Sequence, residues 1–152
     1  MAKTLANEAD LEQICRRTGA LTPESPRMWG KMSVGGMLCH LHDSYLLALG
    51  ERTASPVRVP VPGRMIKYVA LRTSLPCARN MRSAREMQQA SGGTQPVAFE
   101  ADRQRLLQTI ARFSRYEALD KSAHPFFGAM SASDWRRWGY LHADHHLRQF
   151  GG

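Results

Sequence analysis

Several things are scarce in this chain of 152 residues. Its three cysteines, Cys15, Cys39 and Cys77, are odd in number and far apart, with no C-x-x-C spacing. They therefore suggest neither a disulfide framework nor a cysteine zinc site, and reduced, mostly buried thiols are expected. No apolar run is long enough for a membrane span, and the first ten residues carry charge of both signs rather than the pattern of a signal peptide. The cytoplasm is the expected location, with no membrane partner. Repeats and low-complexity tracts are also missing, and the length suits one domain, residues 1–152, able to bury a core without covalent staples.

Acidic residues are absent from one long stretch. Between Arg52 and Arg85 stand eight bases (Arg52, Arg58, Arg64, Lys67, Arg72, Arg79, Arg82 and Arg85) and no acid, so this segment carries the whole net charge of +8. Such a patch can attract nucleic acid or anionic small molecules. It has only Tyr68 as an aromatic, so it lacks the stacking platforms of a single-strand binder. A solvated basic surface is the first reading, an anionic small-molecule site the second, and nucleic acid the last.

What the chain does contain is helical periodicity. Residues 5–18 place Leu5, Leu11, Ile14 and Cys15 at helix-compatible spacing, with acids early and arginines late, and Gly19 as a stop. After the turn-rich Thr22-Pro23-Glu24-Ser25-Pro26, Ser33 is the expected N-cap of a second helix to Leu49, with Val34, Met37, Leu38, Leu41, Tyr45 and Ala48 on one side. The proline-rich residues 53–63 read as an extended crossover, followed by a helix over 64–73, a break at Leu75-Pro76 and a weakly structured stretch to Gln95. A strong helix is predicted from Phe99 to Leu119, a compact loop at His124-Pro125-Phe126-Phe127-Gly128, and a last helix capped by Ser131 to Asp134 and reaching Phe150. The expected fold is all-α, a four-helix bundle with a long crossover connection, in which sites form between facing helices.

The last helix carries the chemistry. His142 and His146 are at i,i+4, about 40° apart on the helical wheel, and share a face with Trp135, Trp138 and Gln149, while Arg137, Asp144 and Arg148 lie opposite. His145 lies about 60° to the other side of His142. Imidazoles on a tryptophan-rich face need a partner for each ring nitrogen, which a metal with supporting hydrogen bonds supplies. Alone, an H-x-x-x-H pair is also compatible with ordinary core histidines. A third ligand from the second helix could be His40 or His42, and the wheel does not choose, because each lies about 100° from the centre of the apolar stripe.

Three segments resemble the DinB-like (YfiT-like) superfamily, and within it a functionally uncharacterised subgroup. They are Trp29 to Asp43 with its Met37-Leu38-Cys39-His40-Leu41 core, His124 to Trp135, and Tyr140 to Gly151 containing His142, His145 and His146. The resemblance implies a four-helix bundle, commonly a homodimer, holding a divalent metal, often nickel or zinc, through three histidines. It assigns those ligands to His40, His142 and His146, with His145 not ligating. Some similar proteins are thiol transferases or isomerases dependent on bacillithiol, mycothiol or glutathione, which makes a low-molecular-weight thiol a candidate co-substrate. Leu147-Arg148 stands where many of them have Arg-Gly, so their substrate need not carry over. A three-imidazole set leaves coordination positions open, the arrangement of a catalytic metal. Asp43, His145, Trp135, Trp138 and Gln149 are the candidates for supporting the ligands or lining the pocket, with a solvated carboxylate as the plain alternative for Asp43 and core packing for the tryptophans. The resulting expectation is a metal-dependent enzyme, a thiol-dependent transferase or a hydrolase, acting on an unidentified small molecule. A non-catalytic metal-binding or stress-related protein is the alternative, and a nucleic-acid binder the remoter one.

Overall fold

The computed structural model describes residues 2–73, 79, 83–89 and 91–152. Cys77, Arg82, the expected break at Leu75-Pro76 and part of the stretch to Gln95 lie outside them.

Each long helix begins where a side chain can satisfy its first amides. Asn7 caps α1 (Glu8–Gly19) by accepting the Asp10 amide, and Ser33 caps α2 (Val34–Ala48) by accepting that of Gly36. After α3 (Gly63–Arg72) and α4 (Phe99–Arg115), α5 (Ala132–Gln149) opens on a reciprocal capping box between Ser131 and Asp134. Helix α1 starts later than its apolar spacing predicts, yet Leu5 is still buried, with its amide donating to the Arg136 carbonyl.

The four long helices pack as an all-α bundle in which α2 and α1 each lie against both α4 and α5. Tyr45, Phe113, Ile14, Leu41, Leu106, Ile110 and Leu147 fill its centre with almost no exposure. Gly139 is the point of closest approach. A Cβ there would sit 2.7 Å from the Phe113 ring and 3.1 Å from Leu5, and the Gly139 carbonyl accepts the buried Tyr45 hydroxyl at 2.8 Å. The connection from α2 to α4 is the expected long crossover, and it carries α3 and a 3-10 turn at Arg85–Met87.

Two boundaries differ from expectation. Helix α4 ends at Arg115 rather than Leu119, because Tyr116 turns extended and the Arg136 guanidinium takes the Ser114 and Tyr116 carbonyls at 3.2 and 3.1 Å. Leu119 returns to the core on a separate 3-10 turn, Leu119–Lys121. The expected loop at 124–128 is a small antiparallel hairpin, β1 (Ala123–His124) with β2 (Gly128–Ala129), closed by Gly128 at φ 72°. His124 builds its turn, with Nδ1 accepting the Phe126 and Phe127 amides at 3.2 and 3.3 Å.

Asp134 also fixes the crossover. Besides closing the α5 cap, its carboxylate receives Lys67 and Arg72 from α3 at 3.4 and 3.1 Å. That ties α3 to the first turn of α5, and α3, the hairpin and α5 together wall a cavity that reaches the histidines further along α5.

Candidate metal centre

Helix α2 is buried almost all round, so its polar side chains need partners inside the protein. His40 and His42 meet this differently. His42 turns toward α4 and sits 2.9 Å from the Thr109 hydroxyl. His40 turns toward α5, with its Nε2 3.2 Å from that of His142 and its ring centroid 4.8 Å from that of His146. The two α5 rings are themselves 4.8 Å apart and nearly perpendicular. One ligating nitrogen from each of His40, His142 and His146 lies within 4.8 Å of the others. The structure thus brings together the three histidines singled out above and leaves His42 on another face.

The outward ring nitrogens are fixed as metal ligation requires. His40 Nδ1–H donates to the Met87 carbonyl at 3.0 Å, which leaves Nε2 as a lone-pair donor facing α5. Gln149 donates through Nε2 to the Trp29 carbonyl at 2.9 Å, so its Oε1 points at His146 and accepts from Nδ1–H, also at 2.9 Å. His142 lies flat on Trp138, 4.6 Å between ring centres. Burial first, then repulsion from neighbouring histidines, pushes the His142 and His146 pKa values well below the usual range; burial lowers His40 as well. All three are therefore neutral imidazoles near neutral pH, the form that binds a divalent ion. The 3.2 Å separation of two nitrogens is close to the about 3.3 Å edge of a tetrahedron with zinc–nitrogen bonds of about 2.0 to 2.1 Å. The donor set fits a metal ion.

The other candidates divide. His145 is half-buried beside the cluster, edge-on to Trp29 with 5.7 Å between ring centres, and Trp138 and Gln149 touch the ligand rings as described. Trp135 is fully buried below Trp138, outside the lining of the adjacent cavity, with its indole N–H donating to the Ser122 carbonyl at 3.3 Å. Asp43 is neither solvated nor in contact with an imidazole. Its wholly buried carboxylate accepts Arg52 at 3.0 Å and the Thr94 amide and hydroxyl at 2.7 and 2.6 Å. Arg52 in turn donates to the Glu86 carbonyl at 2.9 Å. Asp43 therefore holds the turn whose next carbonyl, Met87, orients His40. It acts on the cluster at one remove, through a tertiary contact that helical spacing does not register.

Beside the histidines opens a cavity of about 980 Å³, walled by α3, the hairpin, the Arg85–Met87 turn and α5. No Asp, Glu or Cys lines it among the described residues. Burial pushes the Cys39 thiol up to about 11 and also raises Cys15, so neither is an activated nucleophile. Four of the eight bases of the basic segment pair with groups of the protein: Arg52 with Asp43, Lys67 and Arg72 with Asp134, and Arg79 stacked 4.3 Å over Trp29. Sequence reasoning missed the Met87 carbonyl, Arg52, His124 and the apolar wall from α3. Of these only the aromatic-rich His124 to Phe127 stretch carried a visible signal.

The family of the chain follows from a comparison with known families. A family model described as "Protein of unknown function (DUF1569)" matches residues 4–151. The chain belongs to DUF1569. No curated protein and no solved structure matches it. No helix among the described residues is long and apolar enough to cross a membrane.

Proposed function

We propose that this DUF1569 chain is a metal-dependent enzyme of the DinB-like superfamily, holding one divalent ion, nickel or zinc, through His40, His142 and His146. One observation carries the reading. Three neutral imidazoles from two helices converge at the end of a cavity, two of them with the opposite nitrogen tied to a carbonyl oxygen. When bound, the ion supplies Lewis acidity, which polarises an electrophile or lowers the pKa of a water or thiol. The protein's own part is to hold the ligand tautomers through Met87 and Gln149 and to exclude bulk water with Trp138 and the hairpin. With no carboxylate or thiol among the described lining residues, the nucleophile comes from solution, as water or as a low-molecular-weight thiol. That same lack favours one second reading, a metal-holding binding protein without turnover.

Metal analysis of protein purified without an affinity tag tests the centre, with about one divalent ion per chain expected. Turnover on a panel of thiols and electrophiles separates the two readings. A loaded protein that turns over nothing favours the binding protein, and a protein that takes up no metal ends both.

A further inference from the structure

The cavity next to the histidines has a chemistry of its own. Its wall is formed by Leu47 on α2, Ile66, Val69 and Leu71 on α3, Phe127 in the hairpin and Trp138 on α5. Lys31, exposed at the edge, is the only charged side chain among its described lining residues apart from the histidines. Three of the polar side chains along the wall, Ser44, Gln88 and Gln149, have internal partners. Ser44 donates to the His40 carbonyl at 2.7 Å, Gln88 to the Ser83 carbonyl at 2.6 Å, and Gln149 bridges Trp29 and His146. At about 980 Å³ the space is at the upper end of the roughly 300 to 1,000 Å³ of small-molecule sites.

We infer that the substrate of this centre is a small molecule with an extended apolar body and a single compact anionic head, the head meeting the three histidines and the body lying against α3 and Phe127. The inference rests on the metal-centre reading for the head and on the wall alone for the body. A second charge on the body would be buried opposite apolar side chains with no partner, which is costly. Peptide-like or sugar-bearing thiols are therefore poor occupants, whereas an acyl, aryl or alkyl chain fits. Val61, Met65 and Val69 line the cavity and are also 44%, 55% and 44% exposed, so α3 and the bend just before it present an apolar rim at the entrance.

The test is calorimetric binding of the straight-chain monocarboxylates from acetate to octanoate, and of adipate, to cobalt-loaded and to metal-free protein. Cobalt uptake is followed in the same samples by absorption. Affinity should rise about fourfold per added methylene, as burial of about 0.8 kcal/mol per methylene implies. Adipate should bind at least tenfold more weakly than hexanoate. Val69→Asn, at a half-exposed position that does not threaten folding, should reduce octanoate affinity several-fold and leave acetate and cobalt affinity unchanged. A series flat from acetate to octanoate, or adipate binding as tightly as hexanoate, overturns the inference while leaving the metal centre standing. A steep series on a protein that takes up no cobalt keeps the apolar body and removes both the anionic head and the metal-centre reading.

Discussion

The bundle and the crossover bury their residues by opposite means. In the bundle, Tyr45, Phe113, Leu5 and Gly139 interlock with almost no exposure, tied by the Tyr45 hydroxyl on the Gly139 carbonyl and the Leu5 amide on that of Arg136. The crossover has little apolar core of its own. It is held by ion pairs to two buried carboxylates, Asp43 with Arg52 and Asp134 with Lys67 and Arg72, and it leaves Val61, Met65 and Tyr68 in solvent. Close packing fixes position to a fraction of an ångström. Ion pairs at a boundary hold less rigidly, and the cavity lies along that boundary. Stability should therefore reside in the bundle, and ligand access and the orientation of His40 in the crossover.

Substitutions on the two sides should then have separable effects. Phe113→Ala should lower the unfolding free energy by about 3 to 5 kcal/mol, measured in urea, since it leaves a large void in the bundle. Cobalt affinity of the folded fraction should hardly change. Asp43→Ala should also cost about 3 to 5 kcal/mol, because it strands the Arg52 guanidinium and the Thr94 amide. It should differ from Phe113→Ala in weakening metal affinity about 10 to 100-fold, the range for a group that orients a ligand. Equal metal affinities in the two variants would erase the distinction between bundle and crossover.

A pH titration sharpens the comparison at the hairpin. Burial lowers the His124 pKa to about 3 from the usual 6.5, so its neutral form is favoured in the folded state. Its contribution to stability is complete above about 6.5 and is lost as pH falls from there toward 3, since the unfolded chain takes up the proton first. His40, His142 and His146 shift in the same direction. Urea midpoints should thus drop on acidification below pH 6.5. His124→Asn, which keeps an acceptor for the Phe126 and Phe127 amides, should reduce the size of that drop.

The smallest effect expected is on nucleic acid. With Arg52, Lys67, Arg72 and Arg79 each paired with a group of the protein, duplex or single-stranded DNA should bind weakly and only at low salt. Submicromolar, sequence-dependent binding at physiological salt would mean that the crossover has a role the cavity does not explain.

Much of the bundle is legible in the sequence because caps and apolar spacing are local. Ser33 and Ser131 do cap helices, and His142 and His146 share a face as their spacing requires. The end of α4 was hidden because Leu119 lies in the core on its own turn, so apolar residues recur past the true stop at Arg115. The choice between His40 and His42 was beyond periodicity for a related reason. Helix α2 is buried on nearly every side, so an apolar stripe gives no direction, and only the resemblance selected His40. Helical spacing puts Asp43 one turn beyond His40 and Trp135 on the histidine face of α5, without saying what either side chain meets. What sets their roles is a contact 51 residues away with Thr94 for one and depth in the core for the other. The Met87 carbonyl, which orients His40, carries no side-chain signal at all.

The most direct test of the metal centre is the metal affinity of five single variants, measured by competition with a chelator. His40→Ala, His142→Ala and His146→Ala should each reduce affinity by at least a hundredfold, because two imidazoles hold a divalent ion poorly. His42→Ala, removing a ring that faces Thr109, should leave it nearly unchanged, and His145→Ala should weaken it by no more than about 10 to 100-fold. A site that stays full in His40→Ala and empties in His42→Ala would contradict the assignment of α2 and, with it, the cavity as the place of reaction.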